Sequence, residues 1–367
     1  MLKKKKTLVL PLNLTIKGRF IFISDIHGDL DLLKMALKQA NFSKLDVLFL
    51  VGDIIEKGSQ NLAILDYLIE LKKDYQIYFL AGNCDEVLRY IIPPVDKDAF
   101  LYYAIIKKHS IINEMAKKLN ITLTKDIDVD SVCATLYQNF RKYYDFVDSF
   151  YDLIILNKQY VIVHGGIDDI FNIPYYNPSL LKYDSFYLKT GKTNYVRIVG
   201  HFPVVNYTRQ IPCNNPIIDL EKGVVSIDGG NVVKPTGQLN VLILKDHKFS
   251  YLYVDKYPKQ ICKADIICAN PNPVHTNSYL EKITYKGEKV GDFYICYTEN
   301  NVKCYAYYTN VIEKSNEFFC YDATNYFMPL KKGDRYSLII KSFPFSYVKH
   351  EGYIGLVDTK LVDNDEL

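Results

Sequence analysis

The chain has 367 residues, of which 49% are hydrophobic and 24% charged, and its net charge is +3. That length can bury a large core and exceeds the usual single-domain size, so one large domain plus an appendage is expected, and the small net charge gives no reason to expect a nucleic acid or an acidic membrane as partner. The lysines at 3–6 precede only a brief apolar stretch broken by Pro11, no run approaches the about 18 apolar residues of a membrane span, and the eight cysteines contain no CxxC pair, which argues against a structural zinc site or a disulfide framework and for a reduced, cytoplasmic setting.

Residues 1–18 read as an arm or a first edge strand. Residues 19–25 are a short, branched and aromatic run, as a buried strand requires. Residues 29–40 place Leu30, Leu33, Met35, Leu37 and Ala40 at helix-like spacing, with Asp29 and Asp31 in a first turn that suits acids. A strand over 45–53, a helix over 59–73 and a strand over 76–83 follow. This alternation predicts an α/β layer with parallel strands, in which ligands collect at the strands' carboxyl ends. From 86 to about 150 the pattern turns helical (87–92, 101–108, 111–119 and 131–150), which reads as an insertion walling one side of a cleft. Strands resume at 159–165, 195–200, 223–230 and 238–244, so the second half is β-rich and fits two packed sheets with helices outside. Residues 1–254 are thus expected as one domain and residues 255–274, rich in Pro, Asn, Lys and Cys, as a linker. Residues 275–367 alternate aromatic and branched stretches separated by turns, the pattern of a small all-β module.

Five of these strands stop in the same way, at a metal-ligand-type side chain beside glycine. They end in Asp25-x-His27-Gly28, Gly52-Asp53, Gly82-Asn83, His164-Gly165-Gly166 and Gly200-His201. Asp and His two apart in a strand point to one side, and the following glycine lets the backbone turn sharply. Two carboxylates, three imidazoles and one amide oxygen suit manganese, iron, zinc or related divalent ions. Six ligands exceed what one open site needs and fit two ions bridged by a carboxylate and a hydroxide, a pair that can clamp the attacking and leaving oxygens of a phosphoryl group. Taken singly, each residue could be a turn residue, a cap or a satisfied core histidine. His109, His247, His275 and His350 lack the strand-end context and read as surface residues.

With these ordered motifs over roughly residues 18–250, the chain resembles the calcineurin-like metallophosphoesterases. The forms Gly52-Asp53-x-x-Glu56-Lys57-Gly58, His164-Gly165-Gly166 and Ser226-Ile227-Asp228-Gly229-Gly230 are most similar to the serine/threonine phosphatase and diadenosine-tetraphosphatase branch. The resemblance implies a four-layer α-β-β-α sandwich with the helical insertion at about 86–150 and the small C-terminal all-β domain. It implies two divalent cations, manganese first, with iron, zinc, nickel or magnesium as alternatives. Asp25 and His27 would hold one ion, Asp53 would bridge, and Asn83, His164 and His201 would complete the second site. The implied activity is hydrolysis of phosphomonoesters, on a phosphoprotein or a small molecule, by a metal-bridging hydroxide. A phosphodiesterase or nucleotide pyrophosphohydrolase is the alternative, and a metal-bound, catalytically weak binding module that docks a partner through its C-terminal domain is an alternative of another class.

Three positions depart from the branch. Its proton-donating His after the Asn is Cys84 here, with Glu56 where its partner Asp stands, and its Arg is Lys57. The Gly-Asn-Cys-Asp form is similar to one in small phosphodiesterases of the superfamily, but their second His is Pro203 here. Loss of that acid, worth about 10²–10⁴ in rate, favours activated leaving groups. Lys57 and Arg89 are the candidate phosphate contacts, Lys57 as a point charge without a bidentate fork. Cys84 reads as a small buried filler and Asp85 as a helix cap or a hydrogen-bond partner of a ligating His.

Overall fold

The computed structural model describes residues 6–107, 109–267, 270–314 and 317–362, so Cys268, Lys108 at the end of an expected helix, and the lysines at 3–5 lie outside the described residues. The chain divides into two compact units. One runs to Phe202 and resumes over Pro216–Val254; the other comprises Pro203–Asn215 and the residues from Asp255 onward.

The first unit holds eleven strands among its described residues: β1 (Val9–Leu12), β2 (Phe20–Ile23), β3 (Val47–Val51), β4 (Gln76–Leu80), β5 (Leu153–Leu156), β6 (Tyr160–Ile162), β7 (Val196–Val199), β8 (Ile217–Asp219), β9 (Val224–Ser226), β10 (Leu239–Lys245) and β11 (Lys248–Val254). They form two sheets, ordered β11-β10-β2-β3-β4 and β1-β5-β6-β7-β9-β8. In the first sheet β2, β3 and β4 are parallel, with Ile23 opposite Leu50 and Leu50 opposite Phe79. In the second, β6, β7 and β9 are parallel, with Ile162 opposite Ile198 and Ile198 opposite Val225.

The inner strands β2, β3, β6 and β9 are buried on both faces, which is why they read as apolar runs. Alternate residues serve different cores. Phe22 and Phe49 of one sheet meet Ile162, Ile198 and Val225 of the other. Ile21 and Ile23 face instead the helices α1 (Leu30–Gln39) and α2 (Asn61–Leu71) through Leu33 and Leu65. Val161 and Val199, on the far face of the second sheet, pack with Leu180 and Phe186. Helix α1 starts where Asp29 accepts the amide of Leu32 at 3.1 Å, a side-chain cap on the first turn.

The insertion contains a 3-10 turn (Asp85–Ile91), α3 (Lys97–Leu101), a π turn (Tyr102–Ile106), α4 (Ile111–Lys118) and α5 (Val129–Asp148). Its apolar residues Leu88, Phe100, Ile112, Leu136 and Phe146 join the helix-side core. Strands β5, β8 and β11 escape the sequence reading. β5 is four residues long and abuts the helical pattern, and β11 has an exposed outer face at the sheet edge.

The second unit contains a four-stranded sheet (Lys259–Ile261, Arg335–Ile340, Phe345–His350 and Tyr353–Asp358) and a five-stranded sheet including Thr284–Val290, Phe293–Tyr297 and Lys303–Tyr307. The expected linker over 255–274 is corrected: Lys259–Ile261 pairs with Arg335–Ser337 and Cys262 is buried in a core. His275 is also corrected from surface to core, because it is 2% exposed and Thr208 Oγ1 lies 2.8 Å from its Nδ1. Residues 203–215 thread into this unit, where Val205 is buried with Phe293, Tyr347, Ile354 and Leu356. Asn214 and Ile354 exchange backbone hydrogen bonds with Gly352 and Pro212.

Candidate metal centre

The polar residues at the strand ends sit on sharp turns. Asp25, His27, Asp53 and His201 all have positive φ, at 54°, 53°, 51° and 67°, a left-handed conformation that side chains other than glycine adopt at a cost. Cross-strand hydrogen bonds hold them there. Asp25, His27 and Gly28 donate their amides to the carbonyls of Gly52, Asp53 and Ile54 at 3.1, 2.9 and 2.8 Å. The glycines make room: a Cβ on Gly82 would lie 2.2 Å from Asp53 Oδ1, and one on Gly200 would lie 2.5 Å from Asp25 Oδ2.

Six side chains from five strand ends converge. Asp53 Oδ1 is 3.3 Å from His164 Nε2, and Asp53 Oδ2 is 3.9 Å from His27 Nε2. Asp25 Oδ1 is also 3.9 Å from His27 Nε2, while Asp25 Oδ2 accepts the amide of His201 at 3.0 Å. Among the described residues, two triples have donor atoms that all lie within 4.8 Å of one another: His27 with Asp53 and Cys84, and Asp53 with His164 and His201. Both contain Asp53. The outer atom of the Asn83 amide lies 2.9 Å from His201 Nδ1 and 3.2 Å from the Leu181 carbonyl. As a nitrogen it donates to both; as an oxygen it converges with them on a cation.

Hydrogen bonds set the imidazole tautomers. His164 Nδ1 lies 2.8 Å from the Val51 carbonyl, which leaves Nε2 for a ligand. His201 Nε2 lies 2.8 Å from Asp184 Oδ1, which leaves Nδ1. His164 Nε2 is buried without a hydrogen-bond partner, as a metal-ligand atom is in the absence of an ion, and His27 turns Nε2 toward Asp25 and Asp53. Burial pushes Asp25 up to about 6, only partly offset by the charge of His164. Burial opposes the charge on His164 as well, but Asp53 and Asp25 push it up to about 10. Asp53 falls well below the ordinary carboxylate range because His164, His27 and Lys57 outweigh its burial. His27 and His201 are pushed down by burial, to about 3 and about 4. Without metal, the carboxylates therefore keep one imidazolium where a cation is wanted.

Lys57 joins this group. Its Nζ lies 3.3 Å from His27 Nε2, and although burial opposes its charge, Cys84, Asp53, Asp25 and Asp228 raise its pKa. Arg89 is not brought to it. The Arg89 guanidinium pairs with Glu86 at 2.7 Å and lines a pocket with Asp85, Tyr144, Asp148 and Asp152. Asp85 itself accepts the amides of Ile54, Ile55 and Gly82 at 2.9, 3.2 and 2.8 Å, so it staples two ligand-bearing turns together rather than bonding a histidine. Burial, with Asp53, pushes the Cys84 thiol far up, against a nucleophilic role.

Two residues were not assigned to the site from the sequence, although Asp228 stands in the Ser226–Gly230 motif. Asp228, at the carboxyl end of β9, is 1% exposed, and its Oδ2 has no hydrogen-bond partner. It carries the same strand-end-plus-glycine signal as the others. Asp184 lies on a loop and carries no such signal.

Glu56 is buried under α4, accepting from Ser110 Oγ at 3.0 Å and from the Ile111 amide at 2.7 Å, and burial raises it to about 7 from 4.5. The folded chain then holds a proton that the unfolded chain has lost between these values, so stability falls as pH rises through that window. In chelator-treated protein, Glu56→Gln should remove up to about 3 kcal/mol of that loss, leaving the unfolding free energy at pH 8 closer to that at pH 5. Denaturant titrations at the two pH values check this, and an unchanged difference would refute it.

The calcineurin-like phosphoesterase model matches residues 18–227. A symmetrical bis(5'-nucleosyl)-tetraphosphatase of Buchnera aphidicola subsp. Schizaphis graminum is 40% identical over 65 residues, which is 17% of this chain and 23% of that one. The chain thus spans about a quarter of the length of the curated tetraphosphatases it matches. Shewanella-like protein phosphatase 1 of Plasmodium berghei is 22% identical over 322 residues, covering 71% of this chain and 82% of that protein. A solved structure of a putative diadenosine tetraphosphatase superposes with a TM-score of 0.43 at 15% identity, over 67% of this chain and 98% of that one.

Proposed function

We propose that this chain, which belongs to the calcineurin-like phosphoesterase family, is a metal-dependent phosphoric ester hydrolase in which Asp25, His27, Asp53, Asn83, His164 and His201 hold two divalent cations. The observation that carries this reading is the pair of donor triples that share Asp53, with His164 Nε2 left unpartnered. When bound, such ions supply Lewis acidity to the phosphoryl oxygens and acidify the attacking water. Manganese is the first candidate, and a reducing cytoplasm is the proposed setting, which the seven unpaired cysteines among the described residues support. The three cores of the first unit support the four-layer arrangement.

The chain's own residues do the rest. Val51 and Asp184 fix His164 and His201 so that one ring nitrogen of each faces the site. The Lys57 ammonium, on a residue that reaches solvent, offers the phosphoryl oxygens a positive charge beside His27. Arg89, engaged with Glu86, is no longer part of this reading. No imidazole stands at position 84 to protonate the leaving oxygen, so esters with good leaving groups are the favoured substrates.

A phosphomonoester, on protein or small molecule, is the first substrate class. The tetraphosphatase relatives and Cys84 itself keep the diester or nucleotide pyrophosphate reading open as the second. Protein stripped and reloaded with Mn²⁺ should hydrolyse p-nitrophenyl phosphate far faster than phenyl phosphate, and chelation should abolish both. Faster hydrolysis of bis(p-nitrophenyl) phosphate would favour the second class. Inactivity on every ester with Mn²⁺, Fe²⁺, Zn²⁺, Ni²⁺ and Mg²⁺ would refute the enzyme and leave a metal-bound binding module.

A further inference from the structure

We propose that Cys84 is itself a metal ligand, giving the His27-side ion a sulfur donor that none of the six strand-end residues supplies. The inference rests on the two-ion reading above. Its ground is the composition of the first donor triple: the atoms that lie within 4.8 Å of one another are from His27, Asp53 and Cys84. Asp25 stands outside that triple, and its Oδ2 is already occupied by the His201 amide at 3.0 Å.

Two further contacts and its burial hold the cysteine in place. The Cys84 amide donates to Asp53 Oδ1 at 2.8 Å, which ties the cysteine to the carboxylate that both triples share. Cys84 is 6% exposed, so its sulfur is shielded from solvent as it lies beside His27 and Asp53. The Asn83 amide nitrogen lies 3.4 Å from Cys84 Sγ, a distance at which it donates to the sulfur. In that same orientation the Asn83 oxygen faces His201 Nδ1 and the Leu181 carbonyl, the arrangement that calls for a cation on the other side. A single amide orientation therefore suits a sulfur acceptor at one triple and an ion at the other.

The chemistry balances simply. As the sulfur–metal bond forms, the thiol releases its proton to solvent, and the ion gains an anionic donor. A thiolate favours zinc or iron over manganese and magnesium, which prefer oxygen ligands. The His27 side should therefore differ in metal preference from the His164–His201 side, which has only nitrogen and oxygen donors. A thiolate held by a metal has no proton to give, so Cys84 does not replace the missing general acid.

Full-length protein loaded with Co²⁺ tests this, read by absorption, together with zinc-loaded protein read by X-ray absorption. The wild type and Cys133→Ser should each show a near-ultraviolet sulfur-to-cobalt band and a sulfur scatterer at about 2.3 Å. Cys84→Ser should lose both while still taking up metal at the His164 side, with zinc affinity of the other ion reduced at least about 10-fold. Two bound ions with only nitrogen and oxygen scatterers in the wild type, or a sulfur signal that persists in Cys84→Ser, would overturn the role of Cys84 and leave the two-ion reading standing. Failure to take up any stoichiometric metal would overturn both. If Cys84→Ser does not fold, the wild-type scattering decides.

Discussion

Asp53→Asn should lower kcat/KM on p-nitrophenyl phosphate by about 10³-fold or more and reduce bound metal from two ions per chain. The size of the effect follows from position. Asp53 is the one residue common to both donor triples, so its loss weakens both ions, and each removes Lewis-acid stabilisation worth several kcal/mol in the transition state. The exchange is nearly isosteric, and the amide oxygen can still accept from the Cys84 amide, now 2.8 Å from Asp53 Oδ1. The packing is thus kept while one anionic donor is lost. Steady-state kinetics and metal analysis on the same preparation check the outcome. A variant that keeps two ions and the wild-type rate would remove Asp53 from its bridging role.

Asp85→Ala should be the most destabilising of the substitutions considered, at about 4 kcal/mol. It strands three buried donors, the amides of Ile54, Ile55 and Gly82, and each unsatisfied donor costs about 1–3 kcal/mol. Part of that is offset because the carboxyl is itself uncomfortable: burial and Asp53 hold it up to about 7. In a unit of this size the net loss lowers the melting temperature by about 10 °C. The amides belong to the turns that carry Asp53 and Asn83, so metal affinity should fall with stability. Asp85→Asn, which keeps an acceptor but turns an amide nitrogen toward the other donors, should recover part of both. Denaturant unfolding that places Asp85→Ala within about 1 kcal/mol of the wild type would show that these turns hold themselves.

The ligand-type residues were legible because the chemistry forces them into view. A strand buried on both faces seldom carries a charge before it ends, Arg197 of β7 being the exception, so Asp25, Asp53, Asn83, His164 and His201 stand out at the boundary between an apolar run and a glycine. The same rule would have found Asp228, which ends β9 before Gly229-Gly230. The supporting contacts were not legible. Asp85 reaches back 31 residues to Ile54, and Asp184 reaches His201 from an irregular loop. Neither partnership leaves a periodic trace in the sequence. The pairing of Arg89 with Glu86 was hidden for a related reason: within one 3-10 turn, small rotations decide which neighbour a side chain meets. Short strands such as β5, and the pairing of β1 with β5 across more than a hundred residues, were hidden because pairing, rather than local pattern, creates them.

The passage of residues 203–215 into the second unit has a consequence for the order of events during synthesis. Val205 immediately follows the His201 strand end, yet its core neighbours extend to Leu356. At about 5–20 residues per second the ribosome needs on the order of 10 s to deliver them. For that interval the first unit can complete its sheets while the segment after His201 waits, with Val205 uncovered. A chain terminated early would leave that apolar segment permanently without its core, beside a residue of the metal centre. The last hundred residues are thus not a detachable tail but the place where the chain's middle finally comes to rest.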